Sequence, residues 1–334
     1  SDGDLSAGTY GYKVIYQWID NLGQTHRSAP NPTLSVVVTA LDSVTLTIPS
    51  LRVTEKTAVT IGIYRTLVNG TVYSRVDTLY TTYPINNTTT ADTITFTDYS
   101  ADSNISGNEQ LYTNQEVENI APPAVLAMAE YKNRIIMIPY EDPFVYQFSK
   151  QVVNGSPVEF SDLFQKNTST VGGPLVGAAK LDDKLILFKN QNISYVTGTG
   201  PGPSGANDDL ADPQFVTADA ALLDPRSIVT TPVGLMFKSS KGIYLLDRSL
   251  QTRYIGKAVE DYNAFTVRGA QLIPKGNQVR FILSNGTLLM YDYFWTDEEG
   301  IGQWTVFDNV DAVSDCIFDG LHTYVTSAGL VYRE

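Results

Sequence analysis

Apolar and polar residues alternate with period two in short runs along most of this chain, and the 3.6-residue rhythm of an amphipathic helix is nearly absent. The runs are rich in Val, Ile, Thr and Tyr, and Gly, Asn and Asp punctuate them where the chain must turn. Tyr10, Tyr12, Val14, Tyr16 and Trp18 fall on one face of a single strand, and Asp20-Asn21-Leu22-Gly23 supplies the turn after it. Further strands are predicted at Val36 to Val38, Val44 to Ile48, Val59 to Ile63, Val72 to Val76 and Ile94 to Phe96. Six or seven short strands within about 100 residues is the pattern of two facing antiparallel sheets.

The Tyr/Trp ladder, Ile63-Tyr64-Arg65-Thr66 and the closing Phe96-Thr97-Asp98 resemble a fibronectin type III domain, a likeness that covers roughly residues 5–100. Character then changes. Ser100-Ala101-Asp102-Ser103-Asn104 is polar, and Ala121-Pro122-Pro123 cannot donate hydrogen bonds to a sheet, so residues 101–123 read as a linker.

From residue 124 the pattern repeats: an apolar strand, a tight polar turn, a second apolar strand, then a third that often carries Tyr. The turns are Lys132-Asn133, Asp182-Asp183, Val233-Gly234, Lys275-Gly276 and Asp319-Gly320. The third strands start near residues 144, 193, 242, 286 and 329, a spacing of 43 to 49 residues, and Gln303-Trp304-Thr305-Val306 adds an outer strand to the fourth copy. A period of about 40–50 residues with three or four strands per unit is the signature of β-propeller blades, small sheets whose apolar faces only neighbouring blades cover. A string of sandwiches needs a longer period and a β-helix a shorter one. The expected fold is therefore all-β: a fibronectin type III-like β-sandwich over residues 1–100, a linker over 101–123, and about five β-propeller blades over 124–334. The fifth copy lacks an outer strand, so closure calls for a strand lent from elsewhere, for example residues 111–120, or for further blades. The chain opens at Ser1-Asp2-Gly3-Asp4 without Met and closes inside a strand at Gly329 to Glu334, so segments are expected upstream and downstream.

Charge and composition narrow the function classes. The formal charge is −13, from 23 basic and 36 acidic residues, which argues against a surface built to grip phosphates. An acidic wall instead discourages sticking of nucleic acid that passes nearby. No apolar run approaches the roughly 18 residues needed to span a bilayer, so membrane insertion by this chain is not expected. Cys316 is the single cysteine, which leaves no disulfide framework, and in Asp315-Cys316-Ile317-Phe318 it reads as a small core hydrophobe on a strand. Asn-x-Ser/Thr triplets such as Asn69-Gly70-Thr71 and Asn285-Gly286-Thr287 carry glycans only in a protein secreted by a eukaryote.

No constellation of catalytic residues is legible. The two histidines, His26 in a polar loop and His322 after a turn, lie in different predicted domains, and no Gly-x-Ser-x-Gly elbow occurs. Asp182-Asp183 sits in a hairpin turn, Asp208-Asp209 in a loop that begins at Gly200-Pro201-Gly202-Pro203-Ser204-Gly205, and Asp297-Glu298-Glu299 in another. Carboxylates of a glycosidase do come from such loops, but nothing in this spacing selects that chemistry. The glycines from Gly198 to Gly205 lack the Gly-Lys-Ser/Thr of a phosphate loop and read as a connection between blades. No His-x-x-x-His, Cys-x-x-Cys or twelve-residue calcium loop is present. No catalytic, cofactor-binding or metal residue is therefore expected.

Gly8-Thr9-Tyr10-Gly11-Tyr12 with Arg27-Ser28-Ala29-Pro30, Ile63-Tyr64-Arg65-Thr66, and above all Asp224-Pro225-Arg226-Ser227-Ile228-Val229 running into Gly234 to Leu245, with Tyr254-Ile255-Gly256 after it, carry a resemblance. The chain resembles the tail nozzle and head-to-tail stabilisation proteins of short-tailed bacteriophages, which are often longer. The resemblance implies propeller blades with inserted β-domains and a place in the virion tail. It also implies a homo-oligomeric ring, commonly of six copies, below the portal and adaptor. The channel holds genomic DNA and then passes it, and no catalytic residues carry over. The alternative is a carbohydrate-binding or glycan-cleaving propeller, which the 20 Tyr would suit; a third reading is a secreted adhesion module.

Overall fold

The structure is a computed structural model that describes residues 3–334 except 22, 24, 40, 55, 57, 112–116, 118, 154–156 and 274. It is all-β, built from antiparallel sheets with a few short helical turns. The chain divides into two compact units. One comprises Ser1–Pro122, Ser149–Phe164 and Gly202–Ala206, and the other Pro123–Phe148, Gln165–Pro201 and Asn207–Glu334.

In the first unit, β1 (Gly8–Ile19) is the organising strand. β2 (Thr25–Arg27) and β3 (Leu34–Val38) pair with the two halves of one edge, and β5 (Thr60–Thr66) pairs with the other. β4 (Val44–Pro49) lies outside this sheet, whereas β6 (Tyr73–Arg75) and β7 (Ile85–Asn86) both flank β5 and bring it to six strands. Only β4 and β8 (Thr93–Asp98) form the second sheet. Period-two alternation explains the layering: Tyr10, Tyr12, Ile61 and Ile63 on the large sheet share one core with Val44, Leu46, Ile48 and Phe96 on the small one. The expected strand positions recur here. His26 does not lie in a loop: it sits on β2 opposite Trp18, where the rings stack at 5.6 Å and Nε2 lies 2.9 Å from Asp20 Oδ2.

Residues 101–111 belong to this unit and are not a free linker. A one-turn helix α1 (Asp102–Ile105) follows β8, and Ser74 bridges Gln110. The reason is a buried cation. Arg65, wholly out of solvent on β5, takes Asp98 and Asp102 as partners, and a buried guanidinium without both would be costly. The suggested closing strand at 111–120 falls mainly outside the described residues.

Five sheets make up the second unit among the described residues. The first is β9 (Val125–Tyr131), β10 (Arg134–Pro139), β11 (Val145–Phe148) and β12 (Gln165–Asn167); the second is β13 (Leu175–Leu181), β14 (Lys184–Lys189), β15 (Ile193–Val196) and β16 (Gln214–Thr217). The third holds β17 (Val229–Thr231), β18 (Gly234–Ser239), β19 (Gly242–Asp247) and β20 (Thr252–Tyr254). The fourth holds β21 (Val267–Ile273), β22 (Gln278–Leu283), β23 (Leu288–Asp292) and β24 (Gln303–Phe307), and the last only β25 (Ala312–Phe318), β26 (Leu321–Thr326) and β27 (Val331–Arg333). Within each, strands neighbour one another in chain order, and the first strands of successive sheets lie side by side. This propeller-like fan confirms the repeat. A bulge recurs near the start of the first strand, at Leu175/Gly177, Val267/Gly269 and Ala312/Ser314.

Packing explains why these strands lack clean alternation. Leu185 to Phe188 on β14 and Leu235 to Phe237 on β18 are each 0% exposed, because neighbouring sheets cover both faces. The outer strands β12, β16 and β20 escaped the sequence pattern. They are three or four residues long and partly polar, too short to show a period. The stretch around Gly200 to Gly205 lies between β15 and β16 of one sheet and so does not join two blades.

Candidate assembly surface

The fifth sheet is covered mainly on one face, where Asp315 and His322 lie, and is more open on the other. Its register places Phe318 opposite Leu321, Cys316 opposite Thr323 and then Arg333, and Ser314 opposite Val325 and then Val331. These eight side chains share a face, since alternate residues on a strand point the same way. Phe318 is 63% exposed and Val331 66%, and Cys316 is exposed as well. Cys316 is thus on a strand, as expected, but not in a core. The sheets before it have middle strands buried on both faces; here β26 is fully buried only at His322.

The other face is anchored to the fourth sheet by a polar cluster. His322 Nε2 lies 2.9 Å from Asp315 Oδ2, with both side chains 1% exposed, and Arg280 Nη1 lies 3.4 Å from His322 Nδ1. In the neutral tautomer Nε2–H donates to Asp315 and Nδ1 accepts from Arg280. Arg280 also pairs with Glu334, and burial pushes its guanidinium below its ordinary range. Gly269 makes room for the cluster: a Cβ there would stand 2.1 Å from Asp315 Oδ1. Gln271 Nε2 donates to Asp315 O at 3.3 Å and Arg268 Nη1 to Ala312 O at 3.3 Å. This is a clasp between sheets, in which Arg280 Nε alone of the guanidinium nitrogens is buried without a partner among the described residues.

The first strands of three sheets line a cavity of about 630 Å³, with Met128, Glu130, Lys180, Asp182, Ile228 and Thr230 among its walls. Lys180 Nζ lies 3.4 Å from Glu130, and Arg248 pairs with Asp182, so the charges there are matched.

The remaining acidic residues singled out in the sequence are not brought together. Asp182 has a positive φ of 53° in its hairpin turn, and Asp183 pairs with Lys184 at 2.7 Å. Asp209 accepts from the backbone N–H of Thr199 and Gly200, both at 2.7 Å, which holds its carboxyl below the usual range. Asp208 pairs with Lys166 at 2.5 Å. Asp297 closes its own turn by accepting from Glu299 N at 2.9 Å and Ile301 N at 2.8 Å. Among the described residues no group of three His, Cys, Asp or Glu is arranged to hold a metal ion, and no helix is long and apolar enough to cross a membrane. The open face itself was missed, although Phe318, Leu321 and Val331 carried a signal: their three strands make up the last copy of the visible repeat.

No protein-family model and no curated protein matches the chain. Solved structures do resemble it. PorZ of the Porphyromonas gingivalis type-IX secretion system is 13% identical with a TM-score of 0.42, over 65% of this chain and 27% of that one. Sqt1 of Saccharomyces cerevisiae is 9% identical with a TM-score of 0.41, over 64% and 60%. A chain of the mitotic checkpoint complex is 9% identical with a TM-score of 0.42, over 99% and 86%. The chain thus spans well under a third of PorZ and about three fifths of Sqt1.

Proposed function

We propose that this chain is a structural subunit of the tail nozzle or head-to-tail connector of a short-tailed bacteriophage, with a fibronectin type III-like first domain. It assembles with further copies into a ring, six being the number the resemblance implies, and contacts the tail adaptor and neighbouring tail proteins. The ring retains genomic DNA and then passes it.

The open face of the fifth sheet carries the assembly part of this reading. It groups Cys316, Phe318, Leu321, Val325 and Val331 on one side of the sheet. Phe318, Leu321 and Val331 are 63%, 37% and 66% exposed, and Cys316 is exposed beside them. Arg333 and Asp319, paired at 2.7 Å and both exposed, put one charge of each sign on the rim for a neighbouring copy to match. The net charge of −13 supports a channel on which phosphates find few cationic partners. Electron microscopy of the concentrated protein tests the reading: rings of several copies are expected, and monomers alone would overturn it.

A second reading keeps one observation in its favour. Phe294 and Trp295 are 64% and 66% exposed, stand edge to face at 5.5 Å and present rings suited to stacking on sugars. Specific binding on a glycan array, lost in Trp295→Ala, would favour it.

A further inference from the structure

The two sheets of the first unit are unequal, six strands against two. A cavity of about 850 Å³ opens in this unit, with Val14, Tyr16, Leu46, Ile48, Ile120 and Phe160 among its walls. Its long side is the free edge of β4, since Thr45 to Pro49 all line it. The hydrogen bond from Ser50 N to Asp92 O at 2.9 Å fixes the phase of the β4–β8 ladder. Leu46 and Ile48 exchange bonds with Phe96 and Ile94, whereas Thr45 and Thr47 turn their N–H and C=O groups away from β8. Those four groups have no partner among the described residues. Asn119, 7% exposed, also lines the cavity, and its Oδ1 has no partner. A buried acceptor left unpaired costs free energy that a bound donor returns.

We propose that this cleft binds an extended polypeptide strand of another protein, added to the free edge of β4. The observations select this occupant. Outward backbone donors and acceptors at Thr45 and Thr47 match another backbone, which neither a lipid tail nor an aromatic molecule offers. The apolar floor takes side chains from alternate positions of that strand. Among the described residues Glu159 is the one charged residue of the lining and is already paired with Lys150 at 3.0 Å, so the inserted side chains are uncharged. Pro49 lacks an N–H and its carbonyl accepts from Tyr16 Oη, which ends the edge and limits the added ladder to a few residues. A side-chain or backbone donor of the guest meets Asn119 Oδ1.

A displayed library of random decapeptides, panned on the full chain and on Thr47→Pro, tests the proposal. Proline at this position removes an N–H that β8 does not use, so the fold keeps its own ladder. Clones enriched on the wild type should carry apolar residues at alternate positions, and the synthetic winners should bind Thr47→Pro at least about tenfold more weakly. Amide exchange at Thr45 and Thr47 of the wild type should slow when a winner is bound, a readout that does not depend on the variant. Winners that bind both proteins equally and leave those amides unprotected would overturn the proposal. So would saturable binding of anilinonaphthalene sulfonate in the cleft with no peptide enriched, which assigns it to small apolar ligands.

Discussion

Arg65 and Asp98 form an ion pair with Nη1 to Oδ2 at 2.8 Å, and both side chains are entirely shielded from water. Asp98 also accepts from Tyr12 Oη at 2.8 Å and Tyr80 Oη at 2.7 Å, and so ties β8 to β1 and to the turn after β6. Asp98→Asn leaves the buried guanidinium to Asp102 and should cost about 3 kcal/mol in urea unfolding. The double variant Arg65→Met/Asp98→Asn should recover part of that loss, because no uncompensated charge stays buried. Equal loss in both variants would place the cost elsewhere.

Buried tyrosines set the alkaline limit. Burial, helped by nearby carboxylates, raises Tyr131 to about 12 and moves Tyr12, Tyr80 and Tyr146 upward as well. A folded value above the unfolded one, near 10, means that stability is intact below pH 10 and drains as pH rises toward about 12. Tyrosinate absorbance should therefore show a late, cooperative group that ionises together with unfolding.

Glu109 works at the other end of the scale. Burial alone would raise its carboxyl, but hydrogen bonds from Arg75 at 3.1 Å and Arg27 at 2.7 Å outweigh it and leave the group below the carboxylate range. Its contribution is present above about pH 4.3 and is lost as pH falls through the folded value. Glu109→Gln should therefore lower stability at neutral pH and flatten the acid limb of a stability–pH curve, so that variant and wild type converge at low pH.

Gly269→Ala drives a methyl into Asp315 and should loosen the clasp that holds the fifth sheet. The expected cost is about 1–3 kcal/mol. Amide exchange should quicken over 312–334 while 185–188 stays slow.

How much was legible follows from what alternation records. Strands covered on one face, such as β4 with Val44, Leu46 and Ile48 buried between exposed Thr45 and Thr47, announce themselves, and the long apolar middle strands of the repeats set the period. Two-residue turns were equally plain: Lys132 and Asn133 both take positive φ, at 49° and 58°. Outer strands such as Thr252–Tyr254 are too brief to carry a period, and β2 hid because His26 looks polar until it stacks on Trp18. The clasp around His322 and the cleft beside β4 join residues far apart in the chain, Arg280 to Glu334 and Tyr16 to Phe160, and no local pattern encodes such meetings. Cys316 was misplaced for a related reason. Burial of a strand residue depends on a neighbouring sheet, and sequence spacing does not say which face has one.

The most direct test of assembly through the fifth sheet uses that cysteine, the single thiol of the chain. Its rate of alkylation by a maleimide should be measured across a wide range of protein concentration, beside the mass of the particles. If neighbouring copies cover the face, the rate falls as large particles form, and Phe318→Asp restores fast labelling together with the monomer mass. A thiol that reacts at one fast rate at every concentration, on particles of monomer mass, would contradict the account.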